Sequence, residues 1–265
     1  MLSILYKLHF VLSGFGLNLY RLVTCLSGLP NFFISFYKFR NKLIDNGEKF
    51  KIELMPCLYE RNKAAGLMTG HYFQQDLYIA SKIYKKNPQK HLDIGSRIDG
   101  FVSHVASYRH IEIADIRPLN SVASNISFIQ LDLMAKLGED YHNYCDSLSC
   151  LHAIEHFGLG RYGDNLDVDG HLKGLSNLHY LLKEGGSLYL SFPIGRERTC
   201  FNAHRILNPL KIIELLDNKY VLEEFSYIDD KGKFHKDFKI LEEEFNFFQR
   251  YEYSCGILQF KKHSH

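Results

Sequence analysis

The run Asp93-Ile94-Gly95-Ser96-Arg97-Ile98-Asp99-Gly100 limits what this chain can fold into more than any other stretch. His91-Leu92-Asp93-Ile94 reads as a short buried strand, and a helix follows from Gly100 to about Tyr108. Glycines at such a strand-to-helix turn let the backbone come close to a ligand. Asp115 ends the next apolar run, 20 residues after Gly95. An acid at that place holds ribose hydroxyls in nucleotide-binding α/β domains.

Strands and helices alternate from there. Ile126 to Leu131 and Ser147 to His152 read as strands three and four. A helix from Asp169 to Lys183 carries Leu172, Leu175, Leu178 and Leu182 on one stripe, with Gly185-Gly186 as its expected stop. Ser187 to Phe192 is strand five. Asn208 caps a helix that has Pro209 in its first turn. Val221 to Ile228 and Gly256 to Lys261 are the last strands. This alternation predicts an α/β, Rossmann-like domain with a mainly parallel sheet covered on both faces. Ligands in such sheets sit outside the carboxyl ends of the strands. The domain is expected over 71–265, behind a helical extension over 1–70.

The type of nucleotide follows from what the turn lacks. Gly95 to Gly100 has P-loop spacing, but Phe101-Val102 replace the lysine and hydroxyl that would hold phosphate and magnesium. Arg97 takes the place of the middle glycine of a dinucleotide turn, and Asp99 repels phosphates. S-adenosylmethionine carries no phosphate and has a sulfonium cation, so a loop with Asp93 and Asp99 suits it better. Asp132 ends strand three, where it can reach an adenine edge.

Three further patterns invite other readings. Gly158-Leu159-Gly160-Arg161-Tyr162-Gly163 has the dinucleotide glycines but does not follow a strand directly, and is expected to be a loop over the site. His152-Ala153-Ile154-Glu155-His156 matches H-x-x-E-H, yet His152 belongs to a strand end rather than a helix face, so no zinc hydrolase and no metal is expected. Asn165-x-Asp167-x-Asp169-Gly170 starts like a calcium loop but has Ser176 where a bidentate glutamate is needed. Two polar clusters are expected at the same crevice. Gly70-His71-Tyr72-Phe73-Gln74-Gln75-Asp76 folds over the cofactor, and Phe201-Asn202-Ala203-His204-Arg205 sits on the rim.

Charge divides the chain. Residues 1–90 carry 13 Lys/Arg and 5 Asp/Glu, and the remainder carries 19 and 25. Residues 1–44 hold no Asp or Glu, nine Phe/Tyr, and Lys7, Arg21, Lys38, Arg40 and Lys42. A helix after Gly28-Leu29-Pro30 with Phe32, Phe36, Phe39 and Leu43 on one face suits a membrane interface; packing of the basic half on the acidic half suits the same charges. Six scattered cysteines, with no C-x-x-C pair and no secretory signal, point to a reducing, cytoplasmic setting at the inner face of the membrane.

Taken together, Asp93/Gly95, Asp115 and Glu155-His156 resemble the class I S-adenosylmethionine-dependent methyltransferases. More closely, HLDIGSRIDGFVSHVAS, DSLSCLHAIEHFGLGRYGD, SLYLSFPIG and FNAHR resemble a domain-of-unknown-function family of bacteria and nematodes, over about residues 65–260. Arg97 departs from the superfamily, which usually has glycine there. The resemblance implies a methyltransferase fold with seven strands in the order 3-2-1-4-5-7-6, strand seven antiparallel. It implies S-adenosylmethionine as cofactor and S-adenosylhomocysteine as product. The expected cofactor contacts are Asp93, Gly95, Ser96, Arg97, Gly100, Asp115, Ile116, Asp132, Leu133 and His152. His204 is the expected base, ahead of His156, with Glu155 orienting it. His71, Tyr72, Arg161, Tyr162, Asp164, Asn202 and Arg205 are expected on the acceptor, with Arg161 and Arg205 holding an anionic group. Bacterial members belong to surface-polysaccharide gene clusters, so the implied acceptor is the oxygen of a sugar, nucleotide-sugar or glycan, with no nucleic acid. The alternative is a catalytically silent assembly or membrane-docking module in glycan biosynthesis.

Overall fold

A computed structural model describes residues 2–47, 51–61, 63–66, 68–240 and 246–264. The chain divides into two compact units, Met1–Leu67 and Met68–His265.

The first unit is helical. α1 spans Leu2–Gly14 and α2 spans Leu19–Asp45. The Asn18 side chain caps α2 by accepting from Arg21 N–H at 2.9 Å. The helix expected to start after Pro30 instead runs through it, because Pro30 is absorbed inside α2. No residue of α2 is buried. No single helix among the described residues is long and apolar enough to cross a membrane; Leu8–Gly14 and Leu19–Asp45, bent by 74°, meet that length and composition only as a pair.

In the second unit the elements are α3 (His71–Lys86), β1 (His91–Ile94), α4 (Ser103–Ala106), β2 (Ile111–Asp115), β3 (Ile126–Gln130), β4 (Cys145–Leu151), α5 (Gly170–Leu181), β5 (Leu182–Ile194), β6 (Arg198–Cys200), β7 (His204–Ile206), α6 (Pro209–Leu216), β8 (Tyr220–Ile228), β9 (Phe234–His235) and β10 (Ser254–Lys262). The main sheet has the order β3-β2-β1-β4-β5-β10-β8-β9. β1 to β5 pair in parallel, and β10 is antiparallel to both β5 and β8. This is the expected methyltransferase order, with β8 and β10 as strands six and seven.

Four local details differ from the expectation. The sheet has eight strands, because β9 folds back on β8. The turn after β1 passes through a π-helical turn, Ile98–Val102, before α4, with Gly100 out of helical geometry. Gly185-Gly186 lie inside β5 rather than stopping α5, because Leu182 already pairs with Cys145. β6 and β7 form a separate ribbon.

Strand alternation supplies two cores, one on each face. Leu92 and Ile94 of β1, Leu188 and Leu190 of β5, and Leu258 of β10 pack with α5 and α6. Tyr189 and Ile257, their neighbours in sequence, pack on the other face with Ile79 and Ile83 of α3. Each fully buried side chain of this size contributes roughly 1.5–3 kcal/mol.

His91, the first residue of β1, is buried. Ser149 Oγ–H donates to Asp93, so the Ser149 oxygen accepts from His91 Nε2 at 3.1 Å, and His91 Nδ1 accepts from Ser147 Oγ at 2.8 Å. Burial pushes the His91 pKa down to about 3. The folded state therefore binds fewer protons than the unfolded chain below pH ~6.5, and stability is lost as pH falls. Between pH 7 and 4.5, urea unfolding should show the wild type losing about 2–3 kcal/mol more than His91→Gln. Equal losses in both proteins would contradict the buried neutral imidazole.

Candidate functional site

The site begins with a buried carboxylate. Asp93, fully buried at the end of β1, accepts from Ser96 N–H at 3.1 Å, Ser96 Oγ at 2.7 Å and Ser149 Oγ. Burial pushes its pKa up to about 6, against the pull of those hydrogen bonds. Gly95 (φ 67) takes the left-handed turn that follows and faces Ala153, where an added Cβ would stand 3.1 Å from the alanine methyl.

This turn opens onto a solvent-open crevice at the carboxyl ends of β1 to β4. Of the expected cofactor contacts, Gly95, Asp115, Ile116, Asp132, Leu133 and His152 line it. Asp93, Ser96, Arg97 and Gly100 do not. Asp93 and Ser96 bind each other beneath the turn, Arg97 pairs with Asp99 at 2.9 Å, and Gly100 sits where a Cβ would come within 2.5 Å of Asp76 Oδ2. Sequence reading missed Arg117. Its guanidinium binds both Asp115 oxygens, at 2.9 and 2.6 Å, and lies 4.2 Å over the Tyr162 ring. Phe157 and Met134 add apolar wall.

The loop after β4 is shaped by its own acids. Asp164 accepts from Gly158 N–H at 2.8 Å, Gly160 N–H at 3.2 Å and Tyr162 N–H at 3.1 Å. The glycine-rich pattern that can cradle a pyrophosphate thus cradles a carboxylate of this chain. A Cβ on Gly158 would stand 2.0 Å from Asp167 O, so only glycine fits there. The calcium-like acids are engaged too: Asp167 binds Lys173 and the Asp169 N–H.

His156 lines the crevice and His204 does not. A carbonyl only accepts, so His156 Nδ1 carries the proton that it donates to Ala203 O at 2.5 Å. Nε2 is then the basic nitrogen, 3.7 Å from Glu155 Oε1. Burial lowers the pKa of His156, and also that of His204, which lies in β7 with its ring 5.0 Å from Tyr253. Glu155 is fully buried and accepts from His152 Nδ1 at 2.9 Å.

The other acceptor-side candidates separate into two groups. Tyr162 and Asp164 line the crevice. His71 and Tyr72 open α3 and reach His152, with ring centroids 5.6 and 5.0 Å away. Arg161 gives one N–H to Ala203 O at 3.1 Å and is otherwise exposed. Arg205 is a correction. It is buried, and its guanidinium donates to the carbonyls of Phe157 (2.6 Å), Val168 (3.3 Å), Asp167 (3.4 Å) and Glu155 (3.5 Å), so it straps the loop and has no face for an anion. Asn202 is exposed at the β6–β7 turn, where its left-handed φ of 58 explains an asparagine. Tyr253 and Cys255, absent from the sequence candidates, join this region from β10 and the loop before it: Tyr253 stacks on His71 at 5.4 Å.

The [4+2]-cyclase SpnF shares the fold, with a TM-score of 0.50 and 12% identity over 74% of this chain and 85% of that one. The N-methyltransferase NodS from Bradyrhizobium japonicum WM9, in complex with S-adenosyl-L-homocysteine, gives 0.49 and 13% over 78% and 91%. A putative methyltransferase from Bacillus halodurans C-125 gives 0.49 and 15% over 72% and 100%. Identities this low speak to the fold alone. No curated protein matches the sequence. A family model does, over residues 103–252, which take in β2 to β9, the crevice loop and the β6–β7 ribbon. The chain belongs to the family described as Caenorhabditis protein of unknown function, DUF268.

Proposed function

We propose that this chain is an S-adenosylmethionine-dependent methyltransferase that acts on oxygen of a sugar, nucleotide-sugar or surface-polysaccharide precursor. A fold does not choose a reaction; the crevice carries the reading. It offers Asp115 for a ribose diol, Asp132 for an adenine edge and Ile116, Leu133 and Met134 as apolar wall. It offers no phosphate cradle, since Arg97 is paired with Asp99 and the glycine nest is filled by Asp164. Arg117 must share or leave Asp115 for a ribose to bind. The arginine side chain is 50% exposed and so has room to swing off the carboxylate, whose side chain is 22% exposed.

Methyl transfer is an in-line displacement. The acceptor oxygen attacks the methyl carbon, the carbon–sulfur bond breaks, and sulfur keeps the electron pair as the neutral thioether. The chain's own work is alignment and removal of the acceptor proton. His156 Nε2 is the group on the crevice wall fit to take that proton, and the Glu155 carboxylate 3.7 Å away stabilises the imidazolium that forms. His204 follows as the second candidate. Arg161 supports an anionic acceptor.

The Asp115–Arg117 pair favours one other reading, a silent module whose cofactor site is closed by its own arginine. Labelled methyl transfer from S-adenosylmethionine to nucleotide-sugars and surface oligosaccharides separates the two. The enzyme reading expects transfer in the wild type, a ~10²–10⁴-fold lower turnover in His156→Ala, and a smaller loss in His204→Ala. Full turnover in His156→Ala removes the base assignment, and absent transfer to every sugar acceptor favours the module.

The acid-free front supports docking on the anionic inner face of a membrane. Phe10, Phe15, Tyr20, Val23 and Phe39 are each more than half exposed, beside five cations and no carboxylate within residues 1–44. The six free cysteines support the same reducing side. The full chain should float with liposomes containing anionic lipid. Salt should weaken that flotation, and so should Lys38→Glu, Arg40→Glu and Lys42→Glu made together. Flotation indifferent to both would exclude the docking.

A further inference from the structure

Three element ends meet beside the crevice, and of their residues His152 alone lines it. His71 is the first residue of α3, His152 directly follows β4, and Cys255 is the second residue of β10. Their ligand atoms all lie within 4.8 Å of one another. The sequence separates the first from the last by 184 positions. Only the antiparallel insertion of β10 between β5 and β8 brings them together.

The region around them is built. Cys255 is fully buried, held in register opposite Pro193 on one side and Ile228 on the other. His152 has a 1% exposed side chain and a left-handed backbone (φ 50), secured by its N–H on Ser191 O at 3.0 Å. Non-glycine residues hold such geometry only where the surroundings impose it, and such strain clusters at functional sites. A carboxylate–histidine pair of the kind that fixes metal ligands is already in place. His152 Nδ1 donates to Glu155 Oε1 at 2.9 Å, which leaves Nε2 facing the cluster. That Nε2 is buried and lies toward the Cys255 thiol.

We infer that His71, His152 and Cys255 form a site for one zinc-class transition-metal ion, with a fourth position left for a water or an acceptor oxygen. Two imidazoles and a thiolate are the donor set that zinc takes, and three protein ligands with an open place is the arrangement of a non-structural zinc centre. Zinc bonds of about 2.0–2.3 Å set tetrahedral ligand atoms about 3.3–3.7 Å apart, so the donors must close by roughly 1 Å. Rotation of the half-buried His71 side chain would supply that movement, in exchange for its stacking on His152 and Tyr253. Cys255 now donates to Gln75 Oε1 at 3.5 Å; metal binding exchanges this bond for a metal–sulfur bond and releases the thiol proton. The H-x-x-E-H motif contributes only its first histidine as ligand, with Glu155 behind it. The inference stands apart from the methyltransferase reading, because ion binding needs neither S-adenosylmethionine nor an acceptor.

The test uses the full-length chain, stripped with a chelator and titrated with Co²⁺ and then Zn²⁺. One cobalt per chain should bind with a thiolate-to-metal charge-transfer band in the near ultraviolet, and zinc should displace it. Cys255→Ser should abolish that band. His71→Ala, at a partly exposed helix start, should weaken affinity by at least the ~10–100-fold that loss of an outer partner costs. Circular dichroism establishes that each variant is folded; if Cys255→Ser does not fold, His71→Ala decides. A folded wild type without the band would overturn the site, as would a band that survives in folded Cys255→Ser or an affinity unchanged in His71→Ala.

Discussion

The second unit depends on one buried negative group. Asp93 lies in β1 opposite Ser149 of β4, with no exposed surface, and takes three hydrogen bonds from Ser96 and Ser149. Leaving such a carboxylate unpaired would cost several kcal/mol. Pairing it here fixes the peptide plane after Gly95, and the turn then has only one way to leave the strand. The chain Ser147–His91–Ser149–Asp93 extends this polar thread beneath the sheet. Asp93 does not itself line the crevice; it holds Ser96 in the turn that follows Gly95.

The crevice is defined as much by what fills it from within as by what it leaves open. Three places that could take a phosphate or a cation are occupied by the chain's own charges. Asp164 fills the glycine nest, Asp99 neutralises Arg97, and Lys173 holds Asp167. Arg205 spends its donors on four carbonyls of the loop from Glu155 to Val168. Each of these groups satisfies itself, and the polar groups that remain on the crevice wall are the Asp115–Arg117 pair, Asp132, His152, His156 and Tyr162. That selection favours a phosphate-free, cationic nucleoside over a dinucleotide.

Much of the fold was legible because its signals are local. The glycine turn, the acid 20 residues on and the apolar runs gave the strands in order, and the Asn208–Pro209 cap forms as read, with Leu210 N–H donating to Asn208 Oδ1 at 3.0 Å. What escaped was decided by tertiary pairing. Gly185-Gly186 look like a helix stop, but β4 captures Leu182 first. FNAHR looks too polar to be structural, yet Asn202 makes a left-handed turn and Arg205 a buried strap. Arg117 carries no motif, and only its two-residue distance from Asp115 puts it on the carboxylate. Tyr253 and Cys255 lie at the far end of the sequence and reach His71 and His152 through the antiparallel last strand, which no local pattern encodes.

The proposed function requires Asp115 to anchor the ribose of an S-adenosyl nucleoside in this crevice. Calorimetric titration of the full chain with S-adenosylhomocysteine measures it most directly, in the wild type and in Asp115→Asn. The account predicts one saturable site per chain, and a ten- to hundredfold weaker affinity when the charged partner is lost, about 1.5–3 kcal/mol. Absence of binding in the wild type, or an unchanged affinity in folded Asp115→Asn, would contradict it.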